Sequence, residues 1–400
     1  MKTLSNMSRD EESDLLVIAQ DAMSNKFSKL PMLIERPKCI TDADRFPLDV
    51  NTVQVSRQYG SYIQLDILDT HFTGPSEYTN YDYILLNGLY PHDSSFNASL
   101  IIDTLTKATN LPSHLIIISD SAKNNKCHNF LGAMAILLVK CHKLRTVSPP
   151  INAFLYFVIS KIRLLYAITG HTHNAVDSHF GSISTVVKRH DAVTLDGTFG
   201  INFPQTLTCL DYCKPIKAMN GCKDVETQPT IYDFSSLNQY MHKPANLCSS
   251  SQIVLNKDSS GSIFWSSSKS MTSRELFTSE TNAKSFKLFM DNFDPTTFIP
   301  IIRKPSPETS RVKLENLFKI AGGFFTTQDK ESLIASLETH KKHAFRWKMS
   351  VLNSLPSKVM LHPEAAFDEE QKAIVEYLKS NGFKVTAAPR DPVISVGMLP

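Results

Sequence analysis

The chain has 400 residues, of which 42% are hydrophobic and 20% charged, as is typical of globular proteins with a substantial core. Its 42 basic and 39 acidic side chains leave a net charge of +3, which excludes the large basic excess that would by itself indicate nucleic-acid binding. The N-terminal segment carries acids where a signal peptide needs an apolar core, and the apolar runs are too short or are interrupted by Lys161 and Arg163. We therefore expect a soluble intracellular protein that is not secreted and has no membrane partner.

The first half of the chain alternates between strand-like and helix-like patterns. Three short apolar segments predict buried strands at 14–21, 114–120 and 164–170, and the first two of them end in an acid. Further strands are expected within 48–68 and 81–89, and helices within 94–112, within 124–144 and from Asp177 onward. This order predicts an α/β fold with a mixed sheet flanked by helices.

The second half changes in character from residue 198. Short strand-like segments separated by Ser, Asn and Gly predict a small β-rich extension. A Pro- and Ser-rich stretch at 303–311 is typical of a linker, and cap-like Thr326 and Asp329 predict the start of a helix. A further helix is expected from Asp368 to about Gly382. We predict three domains, which are a core at 1–197, the extension at 198–305 and a helical tail at 306–400.

Seven cysteines in a chain without a secretory signal favour free thiols over a disulfide framework. Cys209, Cys213 and Cys222 lie close together in sequence, with His242 and Cys248 beyond them. They could form a zinc site, but their spacing matches no standard pair of metal-binding cysteines. Whether this group binds zinc stays open at the level of sequence.

Three acids follow the predicted core strands, and they carry the main functional hypothesis. Asp21 and Asp120 end strands that would emerge at the same sheet edge if the strands are parallel neighbours, and Asp177 opens the helix after the third strand. Carboxylates that lie close together raise one another's pKa unless a cation neutralises them, and Mg²⁺ prefers oxygen ligands. A divalent metal site for phosphodiester chemistry is the hypothesis, whereas the alternative is that each acid merely ends a strand or caps a helix.

Four segments of the chain resemble, in order, the conserved blocks of a large family of transposon-associated eukaryotic proteins with a domain of unknown function. The family blocks read D-G-M-D-Q-x-K-F, K-D-S-N-T, D-N-x-x-x-x-N-K-N and G-H-T-H-x-D-I-D-x-x-F. The corresponding segments here are VIAQDAMSNKFSKLP, PHDSSFNASLIIDTL, LIIISDSAKNNKCHNFLGAMAIL and GHTHNAVDSHFGSISTVVKRHDAVTL. The resemblance covers about residues 14–194 and extends more loosely to about 305.

This resemblance implies an RNase H-like fold related to transposases and integrases. Asp21 would lie on the first strand, Asp120 on the fourth and Asp177 on the late helix, and the three would bind Mg²⁺ or Mn²⁺ for DNA strand transfer or cleavage, which is the ancestral role that the resemblance implies. Lys126 would lie near the scissile phosphate, with His171, His173 and Asn125 in supporting positions. DNA would then be the partner, and the nucleus the compartment in which such a protein acts.

The chain also departs from the family pattern at four positions around these acids. Ser24 stands where the family has a second acid, Ser121 and Cys127 replace two asparagines of the third block, and Ala175 replaces an acid or amide. These losses are expected to weaken the outer contacts of a metal site. Because the chain begins only a few residues before its first strand, we also expect no upstream DNA-binding region, which suggests a truncated or domesticated remnant.

Two other function classes fit parts of the sequence. The Gly-His-Thr-His segment around His171, together with Asp69 and His71, resembles metallophosphoesterases, although the intervening elements of that signature are missing. A non-catalytic interaction module is the second alternative, in which basic segments at 140–145, 186–190 and 341–348 contact phosphates and Trp347 stacks on a base. No nucleophile elbow, P-loop or dinucleotide fingerprint is present.

Overall fold

The computed structural model describes residues 15–56, 78–144, 156–158, 161–166, 175–195, 212–268, 285–338, 342–355, 383–384 and 397–398. Short gaps within these ranges lie at 37, 39, 109–110, 112–113, 191, 193, 245–246 and 259–260. No helix in these ranges is long and apolar enough to cross a membrane.

The described residues form an α/β fold. Its strands are β1 Leu15–Ala22, β2 Lys29–Leu30, β3 Phe46–Ser56, β4 Tyr78–Leu86, β5 His114–Ser119, β6 His142–Leu144, β7 Tyr156–Val158, β8 Lys161–Tyr166, β9 Cys222–Glu226, β10 Tyr232–Asp233, β11 Gln252–Lys257, β12 Ile263–Ser268, β13 Phe286–Lys287, β14 Ile301–Ile302, β15 Phe383–Lys384 and β16 Gly397–Met398. Its helices are α1 Ser94–Thr106, α2 His128–Lys140, α3 Ala175–Val187, α4 Cys213–Lys217, α5 Pro307–Ala321, α6 Thr327–Glu338 and α7 Phe345–Ser354.

A mixed sheet organises the described part of the chain. Its strand order is β13-β12-β11-β8-β5-β1-β3-β4-β9, and β2 pairs with β3 beside this path. β1, β5 and β8 are parallel neighbours, whereas β3 is antiparallel to both β1 and β4. The apolar runs of β1 and β5 lie at the centre, as expected for strands that are buried on both faces.

Helices flank this sheet on both faces. Successive side chains of a strand point to opposite faces, so Asp82 and Tyr83 of β4 lie on different sides. The Tyr83 hydroxyl donates to the carbonyl of Leu100 in α1 (3.2 Å), whereas Asp82 contacts His179 in α3 (3.0 Å). α1 and α3 therefore cover opposite faces, and α2 packs beside α1.

Most predicted elements of the first half are confirmed, with shifted boundaries. α2 occupies only the middle of the predicted 124–144 helix, because residues 142–144 form β6 instead. β8 spans Lys161–Tyr166, so it begins before the predicted 164–170 strand and includes the charged residues Lys161 and Arg163. The rest of that predicted strand lies outside the described residues.

The second half departs further from the sequence predictions. The β11–β12 hairpin of the expected extension pairs with β8, and β9 pairs with β4, so strands of this region complete the core sheet. The predicted linker at 303–311 is partly wrong, since α5 begins at Pro307, whose fixed φ suits the first turn of a helix. The proposed domain boundaries at 197/198 and 305/306 stay predictions.

Helices α5, α6 and α7 lie within the predicted helical tail, which also contains the short β15–β16 pair, and the extent of the tail at 306–400 stays a prediction. Thr326 and Asp329 form the predicted capping box of α6: the Thr326 amide and hydroxyl donate to the Asp329 carboxylate (2.8 and 2.7 Å), and the Asp329 amide donates back to the hydroxyl (3.1 Å). α7 is tied to α1 by a buried ion pair between Lys348 and Asp103. The helix expected from Asp368 to Gly382 lies outside the described residues.

Candidate functional site

The strand register brings Asp21 and Asp120 to the same level of the sheet. β1 and β5 are parallel, and the last residues that pair between them are Ala19 and Ile118. Extending this register by two residues on each strand sets Asp21 beside Asp120. Adjacent strands lie about 4.8 Å apart, and side chains at the same level of a parallel pair share one face. The predicted meeting of these two acids at one sheet edge is therefore supported by the topology.

The same register places Asp21 on the face that α3 covers. Asp21 is paired with Thr52 across β1 and β3, and Thr52 is paired with Asp82 across β3 and β4. Because Asp82 contacts His179 of α3, this whole row of side chains faces α3. Asp177 lies in the first turn of that helix.

Electrostatics indicates that the charges of Asp120 and Asp177 both act on Asp21. The pKa of Asp21 is raised from 3.8 to about 6, mainly because burial penalises its charged form. The negative charges of Asp177 and Asp120 raise it further, against the hydrogen bond that the Ala22 amide donates to Oδ1 (2.8 Å). A half-buried carboxyl beside two like charges is stabilised by protonation or by an added cation.

Asp21, Asp120 and Asp177 are not grouped closely enough to form a metal site as they stand. Among the described residues, no three His, Cys, Asp or Glu side chains lie close enough together to hold a metal ion. The donor type nevertheless suits Mg²⁺ or Mn²⁺, because these cations prefer carboxylate oxygens and keep several waters.

A chain of amide side chains fixes the orientation of Asp120. Asn125 donates from Nδ2 to Asp120 Oδ1 (2.6 Å) and accepts at Oδ1 from Nδ2 of Asn97 on α1 (2.6 Å). The Ala122 amide also donates to Asp120 Oδ1 (3.2 Å), and the Tyr166 hydroxyl donates to the Asn125 carbonyl (2.9 Å). Asn125 is buried, so its predicted supporting position next to an acid has a physical basis.

Lys126 is engaged with the second half of the chain. Its ammonium donates to the carbonyl of Cys248 (3.1 Å) and lies 5.0 Å from the centre of the Tyr166 ring. Partial burial lowers the pKa of this lysine. Its predicted place near a scissile phosphate stays a prediction, and it would require the ammonium to leave the Cys248 carbonyl.

Sequence reasoning missed the buried pair that anchors α3. His179 Nε2 lies 3.0 Å from both carboxylate oxygens of Asp82, and Thr52 donates to Asp82 Oδ1 (2.5 Å). The side chain of Asp82 is fully buried, as is nearly all of His179. Because His179 is two residues from Asp177, this pair fixes the part of α3 that carries the third acid. The only features of the sequence that could have indicated this pair are an acid in the middle of a strand and a histidine inside a helix.

The alternative metal sites receive no support from the described residues. His171, His173, Asp69 and His71 lie outside them, as does Cys209 of the possible zinc group. Cys213 is a buried free thiol, and the Cys222 thiol points to Asp82 (3.6 Å). With His242 and Cys248 also described, no metal-binding group of three forms among these side chains in the described ranges.

A comparison with protein families matches residues 61–272 to a family described as a domain of unknown function (DUF7869). The match covers about half of the chain. The chain belongs to this family. No curated protein and no solved structure matches the chain.

The DUF7869 match includes Asp120, Asn125, Lys126 and Asp177, whereas Asp21 lies before its first residue. The match begins before β4 and ends just after β12, so it includes six strands of the sheet and excludes β1, β2, β3 and β13. The family description assigns no activity, and the inference about function therefore depends on the geometry around these acids.

Proposed function

We propose that this DUF7869 chain is a transposon-derived RNase H-like domain whose chemistry is metal-dependent cleavage or strand transfer of DNA. The observation that carries the proposal is the convergence of three acids from distant parts of the chain. Asp21 and Asp120 are level at the ends of adjacent parallel strands, and the charge of Asp177 reaches Asp21 strongly enough to help raise its pKa. Perturbed carboxyls of this kind cluster at functional sites.

The order of the elements also favours the RNase H-like interpretation. If the two-residue β2 is set aside, the successive long strands are β1, β3, β4 and β5. Asp21 then lies on the first strand, Asp120 follows the fourth, and Asp177 lies on the helix after β8. This is the distribution of acids that the family resemblance implies.

Each residue at the edge has a role in the proposal. Asp21, Asp120 and Asp177 would hold Mg²⁺ or Mn²⁺, which supplies charge stabilisation for the attacking and leaving oxygens of a phosphodiester. Asn125 keeps one oxygen of Asp120 occupied, so the other oxygen is directed to a fixed position. His179 and Asp82 hold α3 against the sheet and thereby position Asp177.

A non-catalytic nucleic-acid-binding module is the second candidate. It is favoured by the absence of a three-residue metal group in the described ranges and by the four family positions at which ligand-supporting side chains are replaced. Trp347 is 47% exposed and stacks on His343 with ring centres 4.4 Å apart, so part of its surface is accessible to a base. Lys348 does not contribute, because it is buried against Asp103.

The test compares the wild-type protein with Asp120→Asn, which preserves the shape of the side chain. We expect Mn²⁺ to raise the melting temperature of the wild type, because a ligand that binds only the folded state stabilises it. The variant should show a much smaller rise and should lose Mn²⁺-dependent nicking of supercoiled DNA. The exposed variant Asp44→Asn is the matched control and should behave like the wild type.

The two candidates predict different results in this experiment. A nuclease requires a metal-dependent rise in melting temperature that Asp120→Asn abolishes. If Mn²⁺ has the same effect on wild type and variant, and neither nicks DNA, the metal-dependent proposal is wrong. Salt-sensitive DNA binding by both proteins in that case would favour the binding module.

A further inference from the structure

A second pair of ionisable side chains lies at the same edge of the sheet and has no role in the proposed metal chemistry. His92, just before α1, places Nε2 at 2.9 Å from Oδ2 of Asp49 on β3. Asp49 is almost fully buried, whereas the side chain of His92 is 38% exposed. The imidazole lies parallel to the Phe96 ring, with ring centres 4.9 Å apart. One nitrogen is thus buried in an ion pair while the ring stays at the surface.

The carboxylate of Asp49 is fully supplied with hydrogen-bond donors. Asn87 and Asn25 donate side-chain amides to Oδ1 (2.7 and 3.2 Å), and the Gly88 amide approaches Oδ2 (3.4 Å). Burial would raise the pKa of Asp49, but His92 and these donors together lower it. Asp49 is therefore a fixed negative charge that keeps its bond to His92 in one geometry.

The hydrogen bond to Asp49 raises the pKa of His92, and this effect outweighs the opposing effect of burial. The charges around the ring come from three elements: Asp49 on β3, Asp93 at the start of α1, and Arg303, which forms an ion pair with Asp93 (2.8 Å). Asp93 adds to the attraction for a proton on His92. The imidazolium form is favoured, and in this form both ring nitrogens carry a proton.

Hydrogen bonds tie this pair to the loops that follow the two candidate metal-binding acids. Asn25, which donates to Asp49, comes four residues after Asp21. Asn124, in the loop between Asp120 and α2, donates its side-chain amide to the carbonyl of His92. His92 therefore lies between the loops that leave β1 and β5 at their carboxyl ends. Among the described residues, none hydrogen-bonds to its Nδ1.

We propose that His92 is a phosphate-binding residue, which donates Nδ1–H to a non-bridging oxygen of a DNA strand lying along this edge. The inference rests on the proposed function, because it takes the same edge as the place where DNA is bound. A cationic donor at the edge of the sheet that also carries the acids favours a phosphodiester, whose negative charge the three acids alone would repel. Its stacking on Phe96 and its bond to Asp49 hold the donor in place before DNA arrives.

The experiment measures equilibrium binding of a fluorescent DNA duplex in EDTA at several salt concentrations and pH values. His92→Gln should weaken binding roughly five- to tenfold, as expected for loss of one charge-assisted hydrogen bond at the surface. It should also reduce the slope of log K against log salt by about 0.9, the contribution of one phosphate contact. Wild-type affinity should fall as pH rises through the raised pKa of His92, and the variant should lose this dependence.

Three further variants separate charge from folding. His92→Lys should restore affinity without the pH dependence, because the charge persists to higher pH. Asp49→Asn should move the midpoint of the pH dependence downward, since it removes the negative charge that favours the imidazolium. His114→Gln, at the opposite end of β5, is the matched control and should bind like the wild type.

The outcomes also separate this inference from the proposed function. Unchanged affinity and salt slope in His92→Gln would overturn the phosphate contact, even if Asp120→Asn abolishes nicking. Absence of DNA binding by the wild-type protein would overturn it as well. If the wild type binds DNA with the predicted His92 effects but never nicks it with Mn²⁺, the phosphate contact stands and the catalytic proposal falls.

Discussion

Asp103 and Asp21 lie on opposite faces of the sheet, and their pKa values move in opposite directions. Burial would raise the pKa of Asp103 on α1, but the charges of Lys107 and Lys348 lower it, and the Tyr83 hydroxyl also donates to this carboxylate (2.9 Å). Burial likewise acts on Asp21, but there the nearby charges are negative, and its pKa rises to about 6. The decisive difference is the sign of the charges that act on each carboxyl.

This difference distinguishes a structural ion pair from a candidate site. On the α1 face, the chain supplies the cations itself and uses them to fix α7 to the core. On the α3 face, the charges that act on Asp21 are those of two further acids, Asp177 and Asp120, and they raise its pKa. A site of the second kind costs stability unless an external cation binds, which is why it favours a functional interpretation.

The largest expected effect comes from removing the cation at Asp103. Lys348→Met would leave the buried carboxylate with Lys107 as its remaining cation (2.9 Å). Removing one of the two cations leaves the charge of the buried carboxylate only partly compensated, and we expect a loss of about 3 kcal/mol in the free energy of unfolding. Urea denaturation at neutral pH measures this change.

Lys342→Met is the matched control for this variant, because Lys342 is exposed just before the same helix. Its effect should stay within about 0.5 kcal/mol. A loss of similar size in both variants would show that α7 is sensitive to any change of charge, and the contrast between the two faces would lose its basis.

A smaller effect is expected at Asp82, which has a histidine and a hydroxyl as partners in place of lysines. His179→Phe would fill a similar volume but leave Asp82 with Thr52 and the Cys222 thiol. An under-satisfied buried acceptor should reduce the free energy of unfolding by about 2 kcal/mol. Hydrogen exchange should also accelerate in α3, whereas the exposed variant Thr185→Ala should leave both measurements near the wild type. Unchanged protection of α3 in His179→Phe would contradict the anchoring role of this pair.

Patterns that are local in sequence predicted much of the fold. The apolar runs gave β1 and β5, the spacing of apolar residues gave α1 and α3, and the Thr326 and Asp329 pair marked the start of α6. These elements depend on burial periodicity and caps, which a short segment carries by itself. The ends of the first two predicted core strands also carry the acids Asp21 and Asp120.

Contacts between distant residues could not be predicted in the same way. Asp82 and His179 are separated by 97 positions, and Asp103 and Lys348 by 245. Each pair is set by strand register and helix packing, and no local pattern specifies either of them. For the same reason, the basic segment at 341–348 was expected to face phosphates, whereas its last lysine is buried.

The smallest expected effect is a gain of stability at the candidate site. The raised pKa means that folded Asp21 keeps a proton between about pH 4 and pH 6 that the unfolded chain releases. Stability should therefore fall as pH rises through this window, and Asp21→Asn should remove that part of the fall. Above pH 6, in EDTA, the variant should be more stable than the wild type by about 1 kcal/mol, after allowance for solvent screening. Urea denaturation at pH 4, 5, 6 and 7 measures the difference.

Asp44→Asn tests the sign of this effect at an exposed carboxyl whose pKa is lowered by hydrogen bonds from Thr41. Because the charged form of Asp44 is the favoured one, Asp44→Asn should give no gain in the free energy of unfolding above pH 6. Addition of Mn²⁺ should then make the wild type more stable than Asp21→Asn, because only the wild type offers the full set of carboxylates to the cation. If Asp21→Asn is instead less stable than the wild type above pH 6 in EDTA, Asp21 has a stabilising partner within the folded chain, and the contrast with Asp103 is wrong.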